Sequence, residues 1–390
     1  PPPIMPPMPF PLFPVLFITA IFYLGFTARV ILAPLLPVVE AELHIGHAAA
    51  GSLFLFVQVG LAAGLITSGF VSASLSYRRT IATSAVGVGL GLVLLSQAGS
   101  LAGIRLGLVA VGVTAGLYLP AGVPAITDLV AERHWGKALA LHELAPTLAF
   151  FSAPLAAEVI LRFLPWQGVL TVLGVVAMAV GGAFVAWGRG GTRVAVAPDL
   201  PTMLRMLATP SAWMVGLLFA VGVGVSMGLF TIMTLFLVND AGMARGAANA
   251  FIGTSRLLAI PVLFATGVLV DRLGPRRSVA LAQWLTGSVA LLLGAVPYRD
   301  ATLALVLLQA GSAACFFPAG FALISQVFPP ALRGLGISMA GTIGTVVGAG
   351  LVPSAVGYLA EVASFRLAFV LVGLVALASP LLLRLHPTKQ

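Results

Sequence analysis

Three ionisable side chains lie deep inside apolar stretches of this sequence, where a charge is costly and usually has a function. Arg29 stands in FYLGFTARVILAPLLP, Arg256 in NAFIGTSRLLAIPV and Glu143 in ALHELAPTLAFF. The guanidinium of arginine is a planar fork that can bind a carboxylate through two parallel hydrogen bonds. The two arginines therefore predict a binding site for a small anion.

Glu143 has the chemistry of a proton-binding group. A carboxyl group that alternates between water and a closed site, with an arginine in reach, can bind and release a proton near neutral pH. We therefore predict that Glu143 binds a proton, while a permanent ion pair with Arg29 remains an open alternative. His142 is adjacent but points about 100° away around a helix, so we do not expect it to share this site.

Aromatic and polar side chains share the helix faces of the two arginines. Two phenyl rings precede the first arginine by seven and three residues, and an amide precedes the second arginine by seven. A tyrosine in another apolar run needs a hydrogen-bond partner at that depth. Two arginines and one carboxylate leave about one positive charge, which a bound monoanion would neutralise. The additional residues predicted to line the site are Phe22, Phe26, Tyr118 and Asn249.

The surrounding sequence is that of a membrane protein. Of its 390 residues, 60% are hydrophobic and 8% are charged, whereas a soluble domain has about 25% charged residues. The apolar runs are about 20 residues long, which matches a bilayer, and they are too long for barrel strands. An all-α membrane protein is predicted. Its twelve spans are expected near 11–39, 48–73, 80–98, 102–130, 137–164, 167–188, 211–239, 246–270, 278–296, 302–328, 334–361 and 364–385.

An offset of about 198 residues brings the two halves of the chain into register. Pro120-Ala-Gly122, for example, falls on Pro318-Ala-Gly320. Six plus six spans in parallel repeats predict two six-helix bundles related by a pseudo-two-fold axis along the membrane normal, with a site between them. The same offset places Gln58 opposite Arg256, and we predict that Gln58 is a neutral binding partner across the cavity.

Basic residues are distributed unequally between the two sides of the predicted spans. Thirteen of the twenty lysines and arginines lie on one side, about five on the other and two inside spans. Because cytoplasmic connections carry the excess of basic residues, we predict an inner-membrane protein with both termini in the cytoplasm. The net charge of +9 then needs no nucleic acid to explain it. The predicted division is a Pro-rich cytoplasmic segment at 1–10, bundles at 11–188 and 211–385, a cytoplasmic linker at 189–210 and a cytoplasmic tail at 386–390.

The connection after the eighth predicted span carries a recognisable signature. Its sequence, GVLVDRLGPRR from Gly267 to Arg277, matches G-x-L-x-D-R-x-G-x-R-R, so the chain resembles the major facilitator superfamily. The resemblance implies two bundles that rock between inward- and outward-facing states. It also implies that this loop latches the cytoplasmic side in one state. The latch residues that it implies are Asp271, Arg272, Arg276 and Arg277.

The equivalent loop of the first half departs from the signature. Ala73 stands where the signature has aspartate, and Ser76 where it has glycine. The first-half latch is therefore expected to be rewired, with Asp128 paired with Arg78 or Arg79. A solvated carboxylate at the membrane surface is the other interpretation of Asp128.

Three functions fit these features. The first is proton-coupled symport of a small organic anion, because the chain is similar to monocarboxylate and oxalate carriers, in which an arginine of the eighth helix holds the substrate carboxylate. The second is proton-driven export of drugs or amphiphiles. Such exporters carry G-x-x-x-G-P in the fifth helix, and this chain has alanine at both glycine positions, in 149–154. The third is a receptor or scaffold that has lost transport, against which the charges inside the membrane argue.

Enzyme chemistry has no support in the sequence. It contains no phosphate-binding G-x-x-x-x-G-K-[ST] loop and no nucleophile with a nearby base. His44 and His47 are three residues apart but lack further metal ligands at useful spacing. We expect no enzyme activity, no cofactor and no metal. The expected partners are an anionic substrate, protons and lipid, and the family expectation is a monomer.

Overall fold

The computed structural model describes residues 11–131, 134–195, 200–329 and 332–385, and the regular structure of this part of the chain is helical. Twelve of these helices are long and apolar enough to cross a membrane, which confirms the predicted number of spans. The predicted segment 1–10 and tail 386–390 lie outside the described residues. In chain order, the spanning helices are α1 Leu12–Leu43, α2 His47–Leu75, α3 Tyr77–Ser96, α4 Leu101–Leu129, α5 Trp135–Leu161, α6 Trp166–Trp187, α7 Pro210–Asn239, α8 Arg245–Leu273, α9 Pro275–Ala295, α10 Arg299–Val327, α11 Arg333–Val362 and α12 Phe365–Leu385.

Prolines interrupt two spanning helices of the first half near mid-height. A proline lacks the N–H that would bond to the carbonyl four residues earlier, and its ring clashes with that carbonyl. In α1 the helix is interrupted at Ile31, shortly before Pro34. In α4 the regular helix ends at Gly116, four residues before Pro120. The interruption in α1 lies two residues from Arg29, and the one in α4 lies two residues from Tyr118, and both side chains are predicted to line the site.

The second half also has two interrupted helices, α8 and α10. Here short 3₁₀ turns replace the α-helix at Arg256–Leu258, before Pro261, and at Ala313–Cys315, before Pro318. The interruptions in α4 and α10 are related by the offset of 198 residues. Proline therefore shapes the middle of the membrane-spanning region in both halves.

Two further helices, α7 and α11, widen into π turns at Gly224–Gly228 and Gly344–Leu351. The turns pack against each other so closely that a Cβ on Gly348 would clash with the backbone nitrogen of Gly224. Single π turns in α-helices are frequent at functional sites. Met227, in the turn of α7, contacts Arg29 of the first half, so this turn lies at the interface between the halves.

The internal repeat is visible in the backbone. Ser76, between α2 and α3, has φ and ψ of 81° and 157°, and Gly274, between α8 and α9, has 78° and 161°. The close contact of Gly89 with Gly174 between α3 and α6 is repeated by two glycines between α9 and α12. The chain therefore folds as two related six-helix halves, α1–α6 and α7–α12, and a short helix, Leu200–Leu207, lies in the linker between them.

The two halves meet on one side of the membrane. We call this the His44 side, after the connection between α1 and α2, and the opposite side the basic side, after the arginines beside Ser76 and Gly274. Towards the His44 side, α2 packs on α11, α1 on α7 and α5 on α8. A Cβ on Gly51 of α2 would clash with the carbonyl oxygen of Pro353 in α11. Towards the basic side the contacts are far fewer, since α2 barely touches the first part of α11, and the space between the halves opens there.

Candidate functional site

Arg29 lies buried in α1, beside the interruption of that helix. Its guanidinium carbon is 4.9 Å from the ring centre of Phe26, and its Nη2 donates to Oε1 of Gln58 over 3.2 Å. The same nitrogen is 4.0 Å from Sδ of Met227, in the π turn of α7. Met227 follows Arg29 by 198 residues, so the two are related by the repeat. Residues related by a two-fold axis can touch only near that axis, and Arg29 therefore lies at the centre of the molecule.

Arg256 is the second buried cation, at the 3₁₀ turn of α8. Its guanidinium carbon is 4.7 Å from the ring centre of Phe230 and 5.4 Å from that of Phe150. Its Nη2 donates to Oε1 of Gln309 over 3.4 Å. Gln309 is itself held by a hydrogen bond of 2.6 Å from its Nε2 to the carbonyl oxygen of Val225.

A row of three phenyl rings joins the two arginines. The ring centres of Phe26 and Phe150 are 5.1 Å apart, and those of Phe150 and Phe230 are 4.6 Å apart, both edge to face. The rings come from α1, α5 and α7, so the row crosses the interface between the halves. A cation over the ring at each end gains from the negative face of the π-system.

Neither guanidinium has a carboxylate partner among the residues that the structure describes. The Nε atoms of Arg29 and Arg256 are buried without hydrogen-bond partners, and so is Nε2 of Gln58. A buried donor without an acceptor costs free energy, and a buried charge without a counter-ion costs more. This arrangement can bind an anion, which would supply both the acceptor and the counter-charge.

The two arginines have different hydrogen-bond partners from those predicted. Gln58, expected opposite Arg256, bonds to Arg29 because α2 lies beside α1 in the same half. Arg256 takes Gln309 instead, a residue that the sequence analysis missed. Its signal was an amide inside the apolar run ALVLLQAGSAAC. The alternative ion pair between Arg29 and Glu143 is not formed, because the carboxylate bonds elsewhere.

Asn249 lies at the His44-side interface rather than beside the arginine with which it shares a helix face. Its Oδ1 accepts from Thr234 over 2.8 Å, and its Nδ2 donates to the carbonyl oxygen of Pro34 over 3.1 Å and to Oε1 of Glu158 over 2.6 Å. Arg245 also binds Glu158, with both carboxylate oxygens engaged at 2.8 and 3.2 Å. Asn249 and Arg256 share a helix face, but the seven residues between them place Asn249 about 10 Å further along the helix. A shared face therefore did not bring Asn249 to the centre.

The helix face and the exposure of Glu143 direct its side chain towards the space between the halves. Glu143 shares its helix face with Phe150, seven residues later, whose ring lies at the centre, and its side chain is 62% exposed. Its Oε1 is 3.2 Å from Nδ1 of His142, and Nε2 of His142 is 3.0 Å from the hydroxyl of Tyr118. The imidazole is buried and stacks on Phe22 with a centre distance of 4.4 Å. The expectation that His142 lies apart from this site is wrong, because the long glutamate side chain reaches back to the imidazole.

The signature residues lie on the open, basic side. Asp271, Arg272 and Arg277 are exposed there. Arg276 donates to the carbonyl oxygen of Leu383 in α12, within the same half. In this conformation the signature loop is therefore exposed. This is the arrangement expected of residues that form contacts only when the basic side closes.

The first-half loop has a different partner from the one expected. Asp128 forms an ion pair of 3.2 Å with Arg193 rather than with Arg78 or Arg79. Arg78 instead donates to the carbonyl oxygen of Val185 in α6 over 2.9 Å. The start of the linker runs back beside α3 through backbone hydrogen bonds, which places Arg193 next to the carboxylate.

Comparison with known proteins gives a family and a fold. The sequence profile of the Major Facilitator Superfamily matches residues 15–281 and 257–390. A comparison with curated proteins gives no match.

Several solved structures share the fold of the whole chain. A bacterial homologue of the human lysosomal transporter Spinster, in an inward-facing and unoccupied conformation, is similar with a TM-score of 0.82 and 16% identity over 99% of this chain and 100% of that chain. A POT family transporter in complex with 5-aminolevulinic acid has a TM-score of 0.77 and 13% identity over 96% and 94%. A D-xylose–proton symporter has a TM-score of 0.74 and 14% identity over 96% and 98%. At these identities the likeness shows the fold alone.

Proposed function

Because this chain belongs to the major facilitator superfamily, we propose that it carries a small organic anion together with protons across the cell inner membrane. Membership of the family makes it a multi-pass secondary transporter and not an enzyme. The anion and the proton are our inference from the site. A carboxylate of the monocarboxylate type is the substrate that the site suits best.

The observation that carries this proposal is the pair of buried guanidinium groups without carboxylate partners. Both carry an unused Nε donor, and Gln58 adds an unused amide donor beside Arg29. The row of Phe26, Phe150 and Phe230 between them offers apolar surface for the body of an organic anion. Binding sites of this kind combine apolar walls with a few fixed polar groups that orient the ligand.

Glu143 is the residue that we assign to proton coupling. It is a carboxylate open to the space between the halves and lies about two helical turns from the row of rings. The D-xylose–proton symporter among the structural neighbours is a precedent for proton coupling on this fold. A proton arriving from the basic side meets Glu143 before it reaches the arginines.

The excess of basic residues supports a cytoplasmic position for the basic side and both termini. The conformation that is closed on the His44 side is then inward-facing. In the outward-facing state the basic side closes, and we assign the latch of that state to Asp271, Arg272, Arg276 and Arg277. The first-half part of the latch involves Asp128 with Arg193, beside Arg78 and Arg79.

The alternative function is proton-driven export of drugs or amphiphiles. The row of phenyl rings also suits an amphiphile, which is the observation in its favour. Two uncompensated guanidinium groups repel the lipophilic cations that many exporters carry. If the protein is an exporter, the cargo that best fits the site is therefore an anionic amphiphile.

The test is transport by the purified protein in liposomes under an imposed pH gradient, with a panel of mono- and dicarboxylates and lipophilic cations. We expect carboxylate uptake driven by protons. Arg256→Gln should reduce it about 10- to 100-fold, because a hydrogen bond to a charged group contributes about 1.5–3 kcal/mol. Arg256→Lys should retain only part of the wild-type uptake, since lysine keeps the positive charge but lacks the planar guanidinium that binds a carboxylate through two hydrogen bonds.

The matched control is Arg299→Gln, an exposed arginine at the His44 end of α10, which should transport like the wild type. Silence with every carboxylate, together with proton release driven by lipophilic cations, would contradict anion symport and favour the exporter.

A further inference from the structure

A chain of three polar contacts runs from the space between the halves into the core of the first half. Oε1 of Glu143 is 3.2 Å from Nδ1 of His142, and Nε2 of His142 is 3.0 Å from the hydroxyl of Tyr118. That hydroxyl donates to the carbonyl oxygen of Ile18 over 2.8 Å. The chain connects α5, α4 and α1. At its outer end the side chain of Glu143 is 62% exposed, while His142 and Tyr118 are 0% and 3% exposed.

This chain of contacts lacks one hydrogen if the imidazole is neutral and the carboxyl is ionised. The carbonyl of Ile18 and a carboxylate can only accept, so three contacts need three hydrogens. The hydroxyl of Tyr118 supplies one, and a neutral imidazole supplies one. The third must be an added proton, carried either by His142 as imidazolium or by Glu143 as carboxylic acid.

We propose that His142 and Glu143 together form the proton-binding site, with the proton held between Nδ1 and Oε1. This proposal rests on the proposed proton coupling and refines it, because the carrier is a pair rather than a single carboxylate. Water reaches the pair through Glu143, while Tyr118 fixes the other side of the imidazole. Loss of the proton leaves one of the three contacts without a hydrogen and so weakens the connection between α1, α4 and α5.

The imidazole is packed between an aromatic ring and the polar groups of the chain. From α1, the ring of Phe22 stacks on it with an interplanar angle of 2°, and a protonated imidazole over an aromatic face gains from cation–π attraction. The titratable groups that face it are Tyr118 from α4 and Glu143 from α5. The buried charge of α1, Arg29, is engaged over Phe26 and does not contact the imidazole.

The first test locates the proton without any substrate. Nitrogen NMR of the full-length protein labelled with ¹⁵N-histidine reports the protonation of His142, with His142→Gln to assign its signals. Infrared spectroscopy reports a protonated Glu143, with Glu143→Gln to assign its band. Between about pH 5 and about pH 9 we expect either an imidazolium or a protonated carboxyl at low pH, and release of one proton from the pair as pH rises. A neutral His142 beside an ionised Glu143 over the whole range would overturn the proposal.

The second test asks whether this proton controls the conformation. Spin labels at Gly99→Cys and Asp300→Cys, on a Cys315→Ala background, report the distance between the halves on the His44 side. We expect the wild-type distance distribution to change with pH and this change to be lost in His142→Gln. Glutamine can donate and accept hydrogen bonds but cannot bind a proton, so a merely structural histidine would be replaced without this loss.

His47→Gln is the matched control, since it removes another histidine paired with a carboxylate, Glu40, at 2.9 Å. It should keep the pH response. The proposal would be overturned if the distance distribution of the wild type did not change with pH. It would also be overturned if His142→Gln showed the same pH-dependent change as the wild type. Neither measurement uses a substrate, so failure here is distinguishable from failure of carboxylate transport in liposomes.

Discussion

Ser76 holds a backbone conformation that residues other than glycine rarely adopt. Its φ of 81° and ψ of 157° nearly equal those of Gly274 at the repeat-related position. The loop geometry therefore explains why the signature has glycine there, and the first half has the same geometry with serine in place of glycine. A non-glycine residue in such a region costs about 1–3 kcal/mol.

Replacing Ser76 with glycine is accordingly expected to stabilise the protein. The relief of strain exceeds the loss of about 0.5–1 kcal/mol that glycine causes through its freedom in the unfolded chain. We expect Ser76→Gly to raise the free energy of unfolding by about 1 kcal/mol, which is measurable as a higher melting temperature in detergent. The reverse change, Gly274→Ser, should lower it. A lower melting temperature for Ser76→Gly would mean that the loop is not strained.

The residues of the candidate site were visible in the sequence to different degrees. Arg29, Arg256 and Glu143 stand out because ionisable groups are rare inside apolar spans. Their partners do not, since a hydrogen bond depends on helix neighbours and rotamers that periodicity does not encode. His142 shows the limit most clearly: its helix position points away from Glu143, yet the two side chains meet.

At the scale of elements, two carboxylates hold the halves together on the His44 side. Glu158 of α5 binds Arg245 and Asn249 of α8. Glu361 of α11 accepts a hydrogen bond of 2.9 Å from the backbone N–H of Ala48 at the start of α2. A carboxylate at a helix N-terminus also gains from the helix dipole. Both contacts join opposite halves, so both must break before this side can open.

Removing the first of these contacts should shift the conformational equilibrium. In Glu158→Gln the guanidinium of Arg245 loses its counter-ion, and the closed His44 side loses free energy relative to the open one. With spin labels at Gly99→Cys and Asp300→Cys on the Cys315→Ala background, we expect a new population at longer distance. Glu42→Gln is the control, because Glu42 bonds to Gln167 within its own half. An unchanged distribution in Glu158→Gln would show that the ion pair does not hold this side closed.

At the scale of the whole molecule, the closed side depends on contact between backbones. Gly51 and Gly357 bring α2 and α11 so close that a Cβ on either would clash with a carbonyl oxygen of the other helix. Small residues allow such close approach between helices in membranes. Because this contact joins the halves, a larger side chain can be accommodated by keeping them apart, without unfolding either one.

Gly51→Leu should therefore abolish transport while the protein remains folded. We expect loss of both net uptake and exchange in liposomes, since each needs the His44 side to close. The melting temperature should change by only a few degrees. Gly182→Leu is the control, because a Cβ at Gly182 meets no atom within 4 Å. Retained exchange in Gly51→Leu would show that this contact is not required for closure.

The overall architecture follows from hydropathy because the membrane fixes how long each apolar helix must be. The predicted spans 211–239 and 302–328, for example, correspond to Pro210–Asn239 and Arg299–Val327. The interruptions near mid-height were not predicted, although their prolines are visible in the sequence. A proline inside a span is tolerated with or without a break, and neighbouring helices decide which occurs.

The contact between Arg29 and Met227 has a consequence for how a ligand is oriented. A transporter with two identical halves would accept its cargo in either of two poses related by a half-turn about the axis. Here the half-turn places Arg29 on Met227 and Arg256 on Gln58, so a cation falls on a thioether or an amide each time. The two poses are no longer equivalent in energy. Each arginine has a neutral residue at its repeat-related position, so the cargo has one preferred orientation although the two halves have nearly the same fold.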